Sequence, residues 1–228
     1  MEFTGLVNAY FISGLGADQR IFAKINLDER INVIHVDWIP PTKDETLANY
    51  ARRLSEIISA DQPYILVGVS FGGMIAVEVA KFLKPLLTIA ISSTILSAEL
   101  PMLYRLAGKL RLIKLIPSGL LKSSNKLSQN FFFGTKTIEQ KELLTKIVND
   151  TNPRFLKWAI GSIVTWENAI RPDRLYHVHG TKDKILYSKM AKPDFSIQNG
   201  THFMVYQNAK EISGIIDKLV LNLPPKTY

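Results

Sequence analysis

The sequence predicts the α/β class: a mostly parallel sheet of roughly six strands, helices on both faces, and one helical insertion. Three observations lead there. Short apolar runs rich in β-branched residues alternate with longer helical patterns, as in a sheet whose strands are joined by crossover helices. Glycine and proline punctuate the junctions. Between about Ser97 and Arg171 the alternation stops and helical periodicity takes over. The 228 residues thus divide into a core, 1–96 with 172–228, and an insertion, 97–171.

Strands are predicted at Val7–Ile12, Asn32–Val36, Tyr64–Val69, Leu87–Ile91, Leu175–Val178 and Asp194–Gln198. Helices are predicted at Asp18–Ile25, Asp44–Ser59, Phe71–Lys84 and Val205–Leu221. Asp44 opens the second of these after the rigid pair Pro40-Pro41. Pro85 closes the third, because proline brings no backbone donor and crowds the previous turn. In the insertion, apolar residues recur at helical spacing at Leu103, Leu106, Leu110 and Ile113, and again at Leu143, Leu144, Ile147 and Val148. Pro117, Pro153 and the Gly134 region interrupt it.

The junction of the third strand and third helix reads Gly68-Val69-Ser70-Phe71-Gly72. A serine between two glycines at a strand-to-helix turn projects its hydroxyl above the sheet edge, and a side chain at 68 or 72 would strike the neighbouring strand or helix. Asp183 follows the strand at 175–178, in Gly180-Thr181-Lys182-Asp183, and His202 lies after the next strand. The order Ser, Asp, His, each after a strand end, is that of a nucleophile, an orienting acid and a base. Asp173 and Asp194 compete for the acid's place, and Asp183 is favoured because Ser92-Ser93-Thr94 offers no carboxylate after the preceding strand.

The segments GVSFGG at 68–73, HGTKD at 179–183, GTHFMV at 200–205 and FISGLGAD at 11–18 resemble those of the α/β-hydrolase superfamily over most of the chain. The resemblance implies a small, capped serine hydrolase: Ser70 the nucleophile, Asp183 the acid, His202 the base, and the insertion the cap. Ester or thioester cleavage is its first implication, and C–C hydrolysis or lyase chemistry uses the same triad. FISGLGAD resembles the oxyanion loop, so the N–H groups of Leu15 and Phe71 are the expected oxyanion donors. Ser13 stands where the family commonly has histidine. The antiparallel strands that usually come first have no room before Val7. Phe71, Phe131, Phe132, Phe133, Trp158 and Trp166 are the expected wall of an apolar acyl pocket.

Other readings are weaker. Gly14-Leu15-Gly16 after a strand, with Asp37 ending the next one, has the start of a dinucleotide fingerprint, but Gln19 stands where the third glycine belongs. A non-catalytic, ligand-sensing protein on the same fold would not need the triad. His35 and His177 lie inside strand patterns and are expected to be packed; His179, before Gly180, is expected to make a structural hydrogen bond. No histidine pair has metal-ligand spacing, so neither metal nor cofactor is expected. The chain has no cysteine and no apolar run long enough for a membrane span. With a first segment unlike a signal peptide, it is expected in the cytoplasm.

The net charge is +8, and its distribution is uneven. Between Glu99 and Glu139 there are seven cations and no carboxylate: Arg105, Lys109, Arg111, Lys114, Lys122, Lys126 and Lys136. This leucine-rich stretch could steer an anionic acyl substrate, rest on an anionic membrane surface, or form a solvated face. Nucleic acid is not an expected partner, since no recognition motif or interleaved aromatic series accompanies the charge.

Overall fold

The computed structural model describes residues 6–117, 119, 126–186 and 188–223. Six parallel strands form one sheet: β1 Val7–Ile12, β2 Ile31–Val36, β3 Tyr64–Val69, β4 Thr88–Ile91, β5 Leu175–Gly180 and β6 Phe195–Ile197, in the order β2-β1-β3-β4-β5-β6. Every pairing is parallel. Successive side chains of a strand point to opposite faces, and both faces are covered. Val7, Ala9 and Phe11 of β1, with Ile65, Val67 and Val69 of β3, enter one core. Tyr10 and Ile12, with Tyr64 and Leu66, enter the other. This two-sided burial explains the continuous apolar run of β3, buried at all six positions.

The first core is closed by α10, Ala209–Leu221, through Ile212, Ile216 and Val220. The second is closed by α1, Leu47–Leu54, and α2, Phe71–Ala80. Helix ends differ from the sequence expectation for local reasons. Helix α1 starts at Leu47 because Thr46 caps it, its hydroxyl accepting from Asn49 N at 3.2 Å. Asp44 has a positive φ of 54° and lies in the preceding turn. Only a 3-10 turn, Gln19–Phe22, forms at Asp18–Ile25. Helix α2 ends at Ala80, four residues before the expected Lys84. The short α8, Ser188–Ala191, lies between β5 and β6, and the last helix is split at Asn208, separating α9, Met204–Gln207, from α10.

Between β4 and β5 no strand occurs among the described residues. The segment holds α3 Met102–Lys109, α4 Leu112–Leu115, α5 Lys126–Phe133, α6 Ile138–Asp150 and α7 Pro153–Thr165. Thr137 and Gln140 form a capping box at the start of α6. Asn152 caps α7, with Pro153 in its first turn. Gly108 of α3 meets α7 closely enough that a Cβ there would lie 1.9 Å from Val164 O. Among the described residues, no helix is long and apolar enough to cross a membrane.

Candidate active site

Ser70 follows β3 with φ 54° and ψ −117°, in the left-handed half of backbone space that non-glycine residues rarely occupy. The neighbourhood holds it there. Ser70 N donates to Ile91 O at 2.8 Å, and Ser93 Oγ donates to Ser70 O at 2.7 Å. The flanking glycines permit the turn. A Cβ on Gly68 would lie 2.3 Å from Gly72 O, and one on Gly72 would lie 2.2 Å from Ser13 O. Backbone strain held in place by surrounding contacts is typical of reactive positions.

Ser70 Oγ lies 2.9 Å from His202 Nε2, and His202 Nδ1 lies 2.8 Å from Asp183 Oδ2. Because a carboxylate only accepts, Nδ1 carries the proton toward Asp183, leaving Nε2 to accept from the serine hydroxyl. Asp183 Oδ1 accepts from Ile185 N at 2.8 Å and Leu186 N at 2.9 Å. Burial opposes the charge of Asp183, but His202 and the bonds from His179 and His202 outweigh it, holding the carboxyl well below the ordinary range. Such a chain can move a proton off a serine hydroxyl while keeping the acid ionised. Of the three competing carboxylates, Asp183 is the one bonded to His202. Asp173 is exposed, and Asp194 accepts from Arg171 Nη2 at 2.5 Å and from His177 N at 2.7 Å.

Behind Asp183 lies a fully buried histidine pair. His179 Nε2 faces Leu186 O at 2.8 Å and Asp183 Oδ2 at 3.3 Å, so it carries the proton shared between them. Its Nδ1 faces His177 Nε2 at 3.0 Å. Burial, and then the neighbouring His179, pushes His177 down to about 3. The bond expected of His179 thus includes the acid of the candidate site. Its signal in the sequence was its place four residues before Asp183. His35 differs from expectation: it is exposed on β2, with its ring stacked on Phe22 at 5.6 Å.

The loop after β1 passes close to the serine, since a Cβ on Gly14 would be 3.6 Å from Ser70 Cβ. Ser13, buried at the family's histidine position, donates to Ala17 O at 2.7 Å. Trp38 Nε1 donates to the same carbonyl at 2.9 Å, so the loop is anchored from inside. The turn at Gly16 is covered by Thr151, whose Oγ1 donates to Gly16 O at 2.9 Å. The N–H of Phe71 belongs to the first turn of α2, where helical donors have no intrahelical acceptor. Leu15 lines the cavity with Ser70.

That cavity measures about 470 Å³ and contains Ser70 and His202. Its walls are mainly apolar, with Leu15 and Ile21 on one side and Tyr104, Phe133, Ile147 and Ile160 from the inserted helices on the other. Apart from Phe133, the aromatic residues expected to form it are elsewhere. The Phe71 ring is buried against Trp38 and Trp158, at 5.5 and 5.9 Å. Trp158 Nε1 donates to Glu45 O, and Trp166 Nε1 to Glu78 Oε1, at 2.9 and 2.7 Å. Phe131 and Phe132 are exposed. Three consecutive helical residues point about 100° apart. Only the last, Phe133, faces the cavity, with its ring edge-on to His202 at 5.5 Å.

A sequence model of the alpha/beta hydrolase family matches residues 9–213. The chain belongs to the alpha/beta hydrolase family. A comparison with curated proteins finds no match. Among solved structures of this fold, an esterase from Exiguobacterium antarcticum is 15% identical, with a TM-score of 0.73 over 96% of this chain and 94% of that one. A lipase-esterase related protein from Clostridium acetobutylicum is 16% identical, with a TM-score of 0.68 over 96% and 98%. A thermophilic esterase from Thermogutta terrifontis is 12% identical, with a TM-score of 0.66 over 96% and 90%. At these identities the likeness is one of fold.

Proposed function

We propose that the protein is a serine hydrolase that cleaves an ester or thioester of a small substrate with an apolar acyl group. One observation carries this reading: the hydrogen-bonded series Asp183–His202–Ser70 opens into an apolar cavity. Ser70 Oγ attacks the acyl carbonyl while its proton passes to His202 Nε2. The N–H groups of Phe71 and Leu15 receive the developing oxyanion; one such donor is typically worth roughly 2.7–4 kcal/mol of barrier. The intermediate collapses, His202 returns the proton to the leaving group, and Ser70 is left acylated. Water, deprotonated by His202, attacks the acyl carbon and releases the acid and Ser70. Asp183 stays ionised throughout and holds the imidazole in the useful tautomer. These steps need no cofactor.

Residues 97–171 act as the cap, keeping bulk water from the acyl group and shaping its pocket. A fluorophosphonate probe tests the reading directly. It should label the native protein on the peptide containing Ser70 and leave Ser70→Ala unlabelled. Labelling at another residue, or none, would remove Ser70 from the nucleophile's role.

A further inference from the structure

Helix α3 has two apolar arcs, and only one has a use in the fold. At about 100° per residue, Tyr104, Ala107 and Gly108 fall on one side. They face inward: Tyr104 and Ala107 line the cavity, and Gly108 packs on α7. Met102, Leu103, Leu106 and Leu110 fall on a separate arc roughly 100° wide. They are 71%, 75%, 45% and 59% exposed. Arg105 and Lys109 lie along the free edge of that arc, and both are solvent-accessible. The neighbouring α4 adds the exposed Leu112 and Leu115. Lys122 lies outside the described residues, as does the side chain of Lys114.

A contiguous exposed patch of this kind marks a binding surface. We propose that the outer face of α3 and α4 docks the protein on an anionic lipid surface. Charge complementarity selects the occupant, because the stretch between Glu99 and Glu139 holds cations and no carboxylate. The chemistry of the arc agrees. Protein interfaces are anchored by aromatic residues seated in pockets; this arc is convex and made of flexible aliphatic side chains bordered by cations, the composition of an interfacial helix. A second copy is a poorer occupant. A two-fold contact sets the same patch against its own copy, and neither α3 nor α4 holds a carboxylate to pair with Arg105 or Lys109. Docked this way, the helix that touches lipid is the one whose inner side lines the cavity, so an acyl substrate carried by the membrane has a short path to Ser70.

Vesicle flotation tests this without reference to catalysis. The native protein should float with vesicles of mixed phosphatidylglycerol and phosphatidylcholine at low salt, remain behind with pure phosphatidylcholine, and detach as salt is raised. Arg105→Gln/Lys109→Gln should weaken partitioning roughly thirtyfold, at about 1 kcal/mol per cation. Leu103→Ser/Leu106→Ser/Leu110→Ser should weaken it by about tenfold or more, while Ile170→Ser, exposed elsewhere, should not. Since the chain has no cysteine, Met102→Cys accepts a single environment-sensitive fluorophore without altering the leucine arc. Its emission should shift to the blue on anionic vesicles, and that of a label at Glu142→Cys on α6 should not. Failure to float, binding indifferent to the leucine substitutions, or an unshifted label at 102 overturns the proposal. So does a dimer in solution that the same leucine substitutions dissolve. Ser70→Ala should float like the native protein, so failure of the hydrolase reading stays separate from failure of this one.

Discussion

The cavity predicts a steep dependence on acyl length. Its walls offer a carbon chain apolar contacts from Ile21, Ile147 and Ile160, and at about 470 Å³ it has more room than an acetyl group can use. Each methylene moved from water into apolar surroundings gains about 0.8 kcal/mol. If that gain is present in the transition state, kcat/KM rises about fourfold per methylene, at about 1.36 kcal/mol per tenfold. Four methylenes separate acetate from hexanoate, so the predicted ratio is roughly two hundredfold. Initial rates with p-nitrophenyl acetate, butanoate and hexanoate measure it. Ala107→Phe places a ring into the cavity from α3 and should lower the hexanoate-to-acetate ratio at least tenfold, with acetate affected far less. A flat or falling series, or an unchanged ratio in Ala107→Phe, would refute the assignment of this cavity to the acyl group.

Other outcomes follow from the same geometry. Ser70→Ala should lose at least about three orders of magnitude in kcat with an unchanged melting temperature, since serine and histidine act as one unit; substantial residual turnover would exclude Ser70. Asp183→Asn should lose roughly 10³–10⁴, because an amide facing His202 Nδ1 favours the wrong tautomer, whereas Asp194→Asn, away from His202, should cost little activity. With Asp183 held below the ordinary carboxylate range, protonation of the acid should add no step of its own to the kcat/KM profile above about pH 4; an acidic limb steeper than unit slope there would show that Asp183 is not held ionised. The same depressed carboxyl adds stability that is fully present above the unfolded value of about 3.9 and is lost as pH falls through the folded value. Asp183→Asn should therefore flatten the acid side of a melting-temperature series, and an unchanged series would show that Asp183 does not carry that dependence.

What the sequence disclosed was decided by short-range sterics and by burial. Gly68, Ser70 and Gly72 were legible because a tight turn between strand and helix admits few residues. The inner strands were legible because burial on two faces leaves uniformly apolar runs such as Tyr64–Val69; the edge strands β2 and β6 are partly exposed and were legible from their place between turns and helices. Helix starts were less so. Asp44 and Thr46 are both good capping residues, and the choice fell to Thr46, whose helix directs Leu47, Tyr50, Ala51 and Leu54 into the core. The aromatic residues failed as a guide to the pocket for a related reason. Trp158 and Trp166 each carry an N–H that must find an acceptor when buried; Glu45 O and Glu78 Oε1 provide them far along the chain. Nothing local announces such partners.

Ser13 shows how a departure from a family motif can be absorbed. A histidine in that position would bring a ring into the loop after β1. Here the space is held by a small hydroxyl that satisfies Ala17 O from within, and Trp38 closes the same carbonyl from the next strand's loop. Glycine at 72 lets the chain pass close to Ser13 and Ile12, so α2 begins against the loop that carries Leu15. The two donors assigned to the oxyanion therefore sit on segments pinned to each other, by close backbone packing rather than by the side chain at 13. On the opposite side, Asp183 is pinned by Ile185 N, Leu186 N and the proton of His179 before His202 contributes its own. In the proposed mechanism, Asp183 and the loop that carries Leu15 would thus be held by contacts other than those of the Ser70 hydroxyl, the preorganisation that such catalysis requires.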